Sequence, residues 1–574
     1  MEDESQPRAN TLDCGGGEKK NRTVGCCWRT SRFHWLLPDG LVAAVMSPEL
    51  LLLLLAALTS ESTADSTGLN FIAAFPENIA FYHPDAPENK IRITALFPDT
   101  EVNIKVYSNT ETRTLASGET WEYAPEATME LMGSGISTKI LQITSNNLIT
   151  VHAVYLKKDS VQTTLLRPDD KLDKEYLVPP IPVIEGTSHP ADMVTRTVAE
   201  RSPFKLIVIN TEKDNKITVK HAEPETVSLL PHQIAQLSLT TEDVSRVVKA
   251  DEPVAVLFGH SCAIRENCTC GQLYTWLPPD KQEQFKFYIP PFLAKDAKSE
   301  TRVLLSVGGS NHVIPYNPNS PVVETAGTAV LYRPGAFFNL IPEKDFGSCS
   351  IINSIAETEN FAVILVHKDF TDGVRVGELS LESPQWQQLV GTDFVSTDVA
   401  LASGKNVIWH TGTSKMAVYY VGIRKGALFG NPAPIISKIP DFRGCIVSPE
   451  VLKIGEVADG WRESLKYCSD NNLDLMSFPG AQLQSHIYNK IMQVKDDSLS
   501  HVWFGMRRSS QTGEWYWLNG DSVNETNWGE GEPGTEDDGQ CAIMSLESST
   551  RFAWSDENCC RKAHPICYRD PVIL

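Results

Sequence analysis

No apolar run in this 574-residue sequence reaches the length of a membrane helix. The longest, Leu50 to Leu58, has about nine residues, where roughly 20 are needed to cross a bilayer. It is followed by the small polar stretch Thr59 to Ala64. Together these read as a secretory signal peptide at 46–64, starting at Met46 and cleaved after Ala64. Residues 1–45, with Cys14, Cys26 and Cys27, then read as an upstream extension. The rival reading is a signal-anchor that adds Leu41 to Val45, but Pro48 and Glu49 interrupt that span. Positive charge is also scarce. Lys and Arg number 51 against 72 Asp and Glu, for a net charge of -21, which argues against nucleic acid or an anionic membrane as partner. With 41% hydrophobic and 21% charged residues the composition is that of a folded chain, and its length is too great for one core. In a secreted chain the 13 cysteines are expected to pair with one another.

Amphipathic helices are lacking between Asn70 and Ile439. That stretch holds short β-branched runs such as KIRITALFP, VNIKVYS, FKLIVIN, VAVLFGH and FAVILVH, bounded by Asn, Pro, Gly and Asp. An all-β block of about 370 residues follows, built of tandem sandwich-like modules. An internal repeat supports this. TSNNLITVHAVYL, Leu165 to Pro168 and KEYLVPPIP correspond to KADEPVAVLFGH, Leu277 to Pro279 and FKFYIPPF, with a period of about 100–110 residues. A third copy is expected from Thr358 and a shorter fourth echo at Ser414, the modules stacking in a row. Residues 426–444, rich in Gly and Pro, read as a linker or final edge strand.

The pattern FIAAFPENIA, KIRITALFPDTEVNIKV, DEPVAVLFGHSCA, a Leu-Pro segment and FYIPPF resembles the N-terminal domain of the IgG-Fc-binding mucus protein family. The resemblance spans about residues 68–425. It implies a secreted, adhesive or mucosal protein, without implying that this chain binds IgG. The cysteine-rich von Willebrand-type repeats of that family are absent from this sequence.

From Cys445 the texture changes. Trp461, Leu465 and Cys468 share one face of a predicted helix, and Leu483, Ile487 and Ile491 share one face of a second. Short runs WFG, WYWLNG, TNWGEGEP, CAIM, FAWSD and HPICY follow, predicting an α+β domain at 445–570. The order of Trp461, Ser464 and Cys468, then WFG, then Trp554-Ser555-Asp556 before Cys559 and Cys567, resembles the C-type lectin-like fold. The resemblance implies disulfides Cys468–Cys567 and Cys541–Cys559. Cys445 and Cys560 are left over, to pair with each other or for either to be free or intermolecular. In the β block Cys262, Cys268, Cys270 and Cys349 allow two bridges.

The lectin resemblance also raises calcium. Its pattern has Glu-Pro-Asn, a Glu two positions before the loop cysteine, and Trp-Asn-Asp. Here Glu532, Pro533, Trp554 and Asp556 stand in place, while Gly534, Gly539 and Ser555 replace the other three ligands. Two carboxylates are few for an ion that takes six to eight oxygens. Glu536, Asp537 and Asp538 lie close by in sequence. Glu532 and Asp556 are therefore candidate Ca2+ ligands of an incomplete site. With Trp528 and Ser555 they are candidate ligand contacts. Trp503, Trp515, Trp517 and Trp554 read as core, because large rings bury area first.

Gly259-His260-Ser261-Cys262-Ala263 nearly matches a nucleophile elbow, but no glycine closes it and no helix follows, so no enzyme is expected. Asn267 and Asn524 begin glycosylation sequons. The expectation is a secreted, extracellular recognition protein. Its C-terminal domain binds a glycan or glycoprotein, as in innate defence, or binds protein without calcium in an adhesion or matrix role. No nucleic acid and no membrane span are expected.

Overall fold

The computed structural model describes residues 66–79, 86–184, 198–220, 224–239, 246–263, 270–295, 300–307, 310–478, 480–494, 499–535 and 539–574. The 1–45 extension, the 46–64 signal peptide, Asn267, Cys268 and Glu536 to Asp538 lie outside the described residues.

Two long strands, Leu141–Lys157 and Arg246–Ala263, reveal the repeating unit. Leu141–Lys157 pairs along its first half with Gly68–Ala73 and Thr100–Val106, and along its second half with Lys90–Ala95 and Ser160–Leu165. Arg246–Ala263 does the same with Asp173–Val178 and Asn215–Lys220, then with Phe204–Asn210 and Gly271–Trp276. In a third unit the long strand is broken into Val322–Thr325, paired with Phe285–Tyr288, and Thr328–Arg333, paired with Arg302–Val307 and Ala336–Asn339. In a fourth it is broken into Lys405–His410, paired with Cys349–Asn353 and Val374–Val376, and Met416–Arg424, paired with Glu359–His367 and Ala427–Pro432.

This pattern corrects the expected repeat. FAVILVH from Thr358 and the echo at Ser414 are two strands of one unit, the fourth. The third unit lies upstream, at about residues 285–339. Inner strands of different rank in the unit carry the same apolar texture, because both of their faces are buried. In Phe204–Asn210, Ile207 and Ile209 enter the core shared with the first unit, while Leu206 and Val208 enter the core shared with the third. Glu359–His367 behaves alike, with Val363 and Leu365 facing the third unit and Ile364 and Val366 facing the first. Side chains alternate along a strand, so two buried faces require a continuous apolar run.

The units do not stack in a row. Val154 and Val161 of the first unit pack into the core of the fourth, which closes a ring. The closing strands Ser160–Leu165, Gly271–Trp276, Ala336–Asn339 and Ala427–Pro432 touch in that order, and the last touches the first. Gln162 Nε2 donates to Tyr274 O at 3.3 Å, Asn339 Nδ2 to Trp276 O at 2.6 Å and Thr163 Oγ1 to Asn431 Oδ1 at 2.5 Å. Gly430 permits the remaining contact, since a Cβ there would lie 2.7 Å from Phe338 Cε1. The physical reason for closure is that an open row leaves an apolar sheet face uncovered at each end.

Residues 426–444 begin with an edge strand, Ala427–Pro432, one of the two readings of this segment. Ala427–Pro432 and Ile435–Ser437 pair into the sheets of the fourth unit. That second pairing brings Cys445 to Cys349, and the two are bonded with Cα atoms 5.5 Å apart. Cys262 bonds Cys270, and Cys560 is exposed and free. Thus Cys349 pairs outside the four-cysteine set of the β block, and Cys445 does not pair with Cys560.

After Cys445 the chain forms helices Trp461–Asp470 and Ala481–Val494 against a sheet ordered Val451–Ile454, His564–Arg569, His501–Arg508, Cys541–Ser545 and Trp554–Glu557. Trp461 and Cys468 of the first helix and Ile487 and Ile491 of the second are buried. Cys468 bonds Cys567 and Cys541 bonds Cys559, the two pairs implied by the lectin resemblance. Among the described residues no helix is long and apolar enough to cross a membrane.

Candidate ligand-binding site

The site is built where the loop after Trp515–Trp517 meets the strand Trp554–Glu557. Asn527 anchors the loop, its Nδ2 donating to Phe552 O at 2.8 Å and to Arg551 O at 3.0 Å. The backbones then lock together, with Trp554 N donating to Asn527 O at 2.8 Å and Gly529 N to Trp554 O at 2.9 Å. Trp554 is buried, and its Nε1 donates to Tyr488 OH at 3.1 Å. Tyr488 in turn stacks on Phe552 at 4.3 Å, and burial pushes its hydroxyl up to about 12. Asn527, Tyr488 and Phe552 were not recognisable as site supports from sequence. The available signal for Tyr488 was its place beside Ile487 on the apolar helix face.

Glu532 and Asp556 do come together. The Glu532–Pro533 peptide is cis. Gly534 N donates to Asp556 Oδ1 at 2.9 Å, and Asp556 N donates to Glu532 Oε2 at 3.3 Å. Asp556 is 9% exposed, and its Oδ2 is buried with no partner among the described residues. Ser555 stands half-buried between Trp554 and Asp556. Trp528 is half-buried, its ring 4.9 Å from that of Trp515 and 5.8 Å from that of Trp554. Trp515 and Trp528 are both half-buried and pack against the core of the domain. Asn524 is exposed on the same loop.

The fit to calcium can be tested on these contacts. One oxygen of each carboxylate already accepts a backbone N–H, and calcium takes six to eight oxygens. A side chain at Gly539 is obstructed, because a Cβ there would lie 2.3 Å from Glu557 N. Among the described residues no group of three or more His, Cys, Asp or Glu side chains is placed to hold a metal ion. The described residues therefore do not fit a complete calcium site.

The near-elbow in the β block is also resolved. Ser261 lies within the strand Arg246–Ala263, its Oγ 3.2 Å from Tyr274 OH, and His260 Nε2 is 2.9 Å from Ser202 O. Cys262 beside it is bonded to Cys270.

Comparison with known proteins places both halves. Residues 457–569 match the family model for the lectin C-type domain, and residues 162–339 match that for IgGFc binding protein. The human IgGFc-binding protein is 24% identical over 428 residues, covering 66% of this chain but only 8% of that relative's length. The C-type lectin lectoxin-Phi1 of Philodryas olfersii is 28% identical over 109 residues, covering 19% of this chain and 69% of the relative. Among solved structures, human lithostathine is 23% identical with a TM-score of 0.20, covering 21% of this chain and 83% of that one. The chain thus joins a segment matched by the IgGFc binding protein family to a C-terminal segment matched by the lectin C-type domain family.

Proposed function

We propose that this chain is a secreted recognition protein that binds carbohydrate or glycoprotein through its C-terminal lectin C-type domain, with no catalytic role. The β ring serves as the body that displays that domain. The observation that carries the reading is the half-buried indole of Trp528, fixed by Asn527 and Trp515 beside the Glu532–Asp556 pair. A flat aromatic face next to hydrogen-bonding carboxylates suits the mixed apolar and hydroxyl surface of a sugar. Secretion is supported by the leucine run at 50–58 and by four disulfides among the described residues, which persist in oxidising compartments.

A second reading is calcium-independent binding of a protein in an adhesion or matrix role. It is favoured by the backbone hydrogen bonds that already occupy both carboxylates and by the crowding at Gly539. A glycan array probed with the full secreted chain, with and without chelator, separates the two. Glycan binding that Trp528→Ala reduces at least about 10-fold supports the first reading, and loss of that binding in chelator assigns it to calcium. An array with no binding, together with a chelator-insensitive protein captured through the C-terminal domain, replaces it with the second.

A further inference from the structure

The ring holds a cavity of about 140 Å³ that the lectin reading leaves unused. It lies where the four closing strands meet, and every unit lines it, through Leu166 of the first, Trp276 of the second, Ile341 of the third and Ala433 of the fourth. These four residues are buried, which makes the floor apolar. The charged residues that line the cavity are already engaged. Lys438 Nζ lies 3.1 Å from Asp345 Oδ1, and Arg167 and Lys281 have partners as well. A charged ligand would give up its hydration here without meeting a free counter-charge, so an uncharged one is selected.

Two polar atoms of the lining residues are not engaged. Thr328 Oγ1, on a residue 7% exposed, and Asn339 Oδ1 are buried with no hydrogen-bond partner among the described residues. The Asn339 amide is fixed in this orientation, because its Nδ2 donates to Trp276 O at 2.6 Å and to Thr275 Oγ1 at 3.0 Å. The two residues share one face of one hairpin. Asn339 pairs with Val330, and Thr328 lies two positions before Val330 on the strand Thr328–Arg333. Such diagonal neighbours lie roughly 7–8 Å apart, which leaves room for one hydroxyl between their side chains. An amide oxygen only accepts, whereas a threonine hydroxyl can donate. One ligand hydroxyl therefore satisfies both, donating to Asn339 Oδ1 and accepting from Thr328 Oγ1. A buried polar atom without a partner costs stability, which such a hydroxyl recovers. An apolar cavity of about 150 Å³ takes up a single benzene ring. We propose that the centre of the ring binds a small uncharged phenol, with its aromatic ring on the apolar floor and its hydroxyl between Thr328 and Asn339.

The test titrates the full chain with phenol, toluene and benzoate by ligand-observed NMR. The three carry a hydroxyl, a methyl and a carboxylate on the same ring. Phenol is expected to saturate one site below about 1 mM. Toluene should bind about 5-fold more weakly, because it leaves both polar atoms unmet, and benzoate at least about 10-fold more weakly. Thr328→Val keeps the side-chain shape and removes a hydroxyl with no protein partner among the described residues. It should therefore fold as the native chain does and bring phenol and toluene to equal affinity. Ala433→Leu fills the floor and should weaken phenol and toluene at least about 10-fold. No saturation by phenol, benzoate binding as tightly as phenol, a Thr328→Val variant that still prefers phenol about 5-fold, or a folded Ala433→Leu variant with native affinity overturns the proposal. Should Ala433→Leu fail to fold, the Thr328→Val comparison decides. The cavity lies wholly in the ring, so failure of glycan binding by the C-terminal domain leaves this result unaffected.

Discussion

The ring and the C-terminal domain hold apolar strands together by different means. In the ring the inner strands of each unit serve two cores at once. Among the described residues its internal bridge, Cys262–Cys270, spans a sequence separation of 8, and Cys349–Cys445, with a separation of 96, ties its fourth unit to the start of the C-terminal domain. The C-terminal domain has less core and relies on cross-links, with bridges of sequence separation 99 and 18. It adds a buried charge hub. The Glu450 side chain is 2% exposed and meets Arg443 at 2.7 Å, Tyr568 OH at 2.7 Å, His486 Nε2 at 2.6 Å, and Lys490. Burial alone would raise the Glu450 carboxyl, but the hydrogen bonds from Lys490, Tyr568, His486 and Arg443 outweigh it and bring it down to about 2. A large closed β core tolerates few staples, whereas a small domain with a long loop needs them.

Removing the hub should have the largest effect. Glu450→Ala leaves Arg443 and Lys490 without their shared carboxylate, and should destabilise the C-terminal domain by about 3–5 kcal/mol. Hydrogen exchange should show the loss in the helix Ala481–Val494 and the strand His564–Arg569, with the ring unchanged. The same group sets an acid response. Its folded pKa lies below the unfolded value of 4.5, so its contribution is present above pH 4.5 and is lost as pH falls toward 2. Melting of the C-terminal domain should decline over that window in the native chain and less so in Glu450→Gln.

The ring should respond as one body. Leu257 is fully buried in the core between the first and second units, and Leu257→Ala should cost about 2–5 kcal/mol. Urea unfolding should shift in a single ring transition, and separate melting of the first two units would break the comparison. Replacing Cys541 and Cys559 together by Ser should cost about 2–4 kcal/mol, confined to the C-terminal domain. The matching double change at Cys262 and Cys270 should move the ring less, because the closed loop is shorter.

The smallest effect concerns Asp169. Burial, then the charges of Glu212 and Asp170, raises its carboxyl from 3.8 to about 7. An acid raised in the fold costs stability as pH climbs from 3.8 through 7, because the charged form is disfavoured. Asp169→Asn should therefore raise the ring's melting temperature at pH 8, by about 1 kcal/mol in stability, with the gain shrinking as pH falls.

That Glu532 and Asp556 lie close together was legible. Glu532 and Asp556 stand out through the lectin resemblance, and Trp528 through its place just before GEGEP. Invisible were the partners that hold them. Tyr488 lies about 66 positions from Trp554, and nothing local marks a hydroxyl as the acceptor of a distant indole. Nor could spacing show that Gly539 packs against the Glu557 backbone, which is a matter of close approach between two strands of the chain.

Local chemistry alone determined that the middle of the chain is β and its end α+β. Continuous apolar runs such as FKLIVIN need two buried faces, and Trp461, Leu465 and Cys468 can share a face only on a helix. Tertiary structure alone decided which unit covers which. A strand's texture reports that both faces are buried, but not by what. Hence FAVILVH passed for the head of a unit, a closed ring passed for a row, and Cys349 found Cys445. Only when the fourth unit met the first did the four closing strands enclose a common cavity.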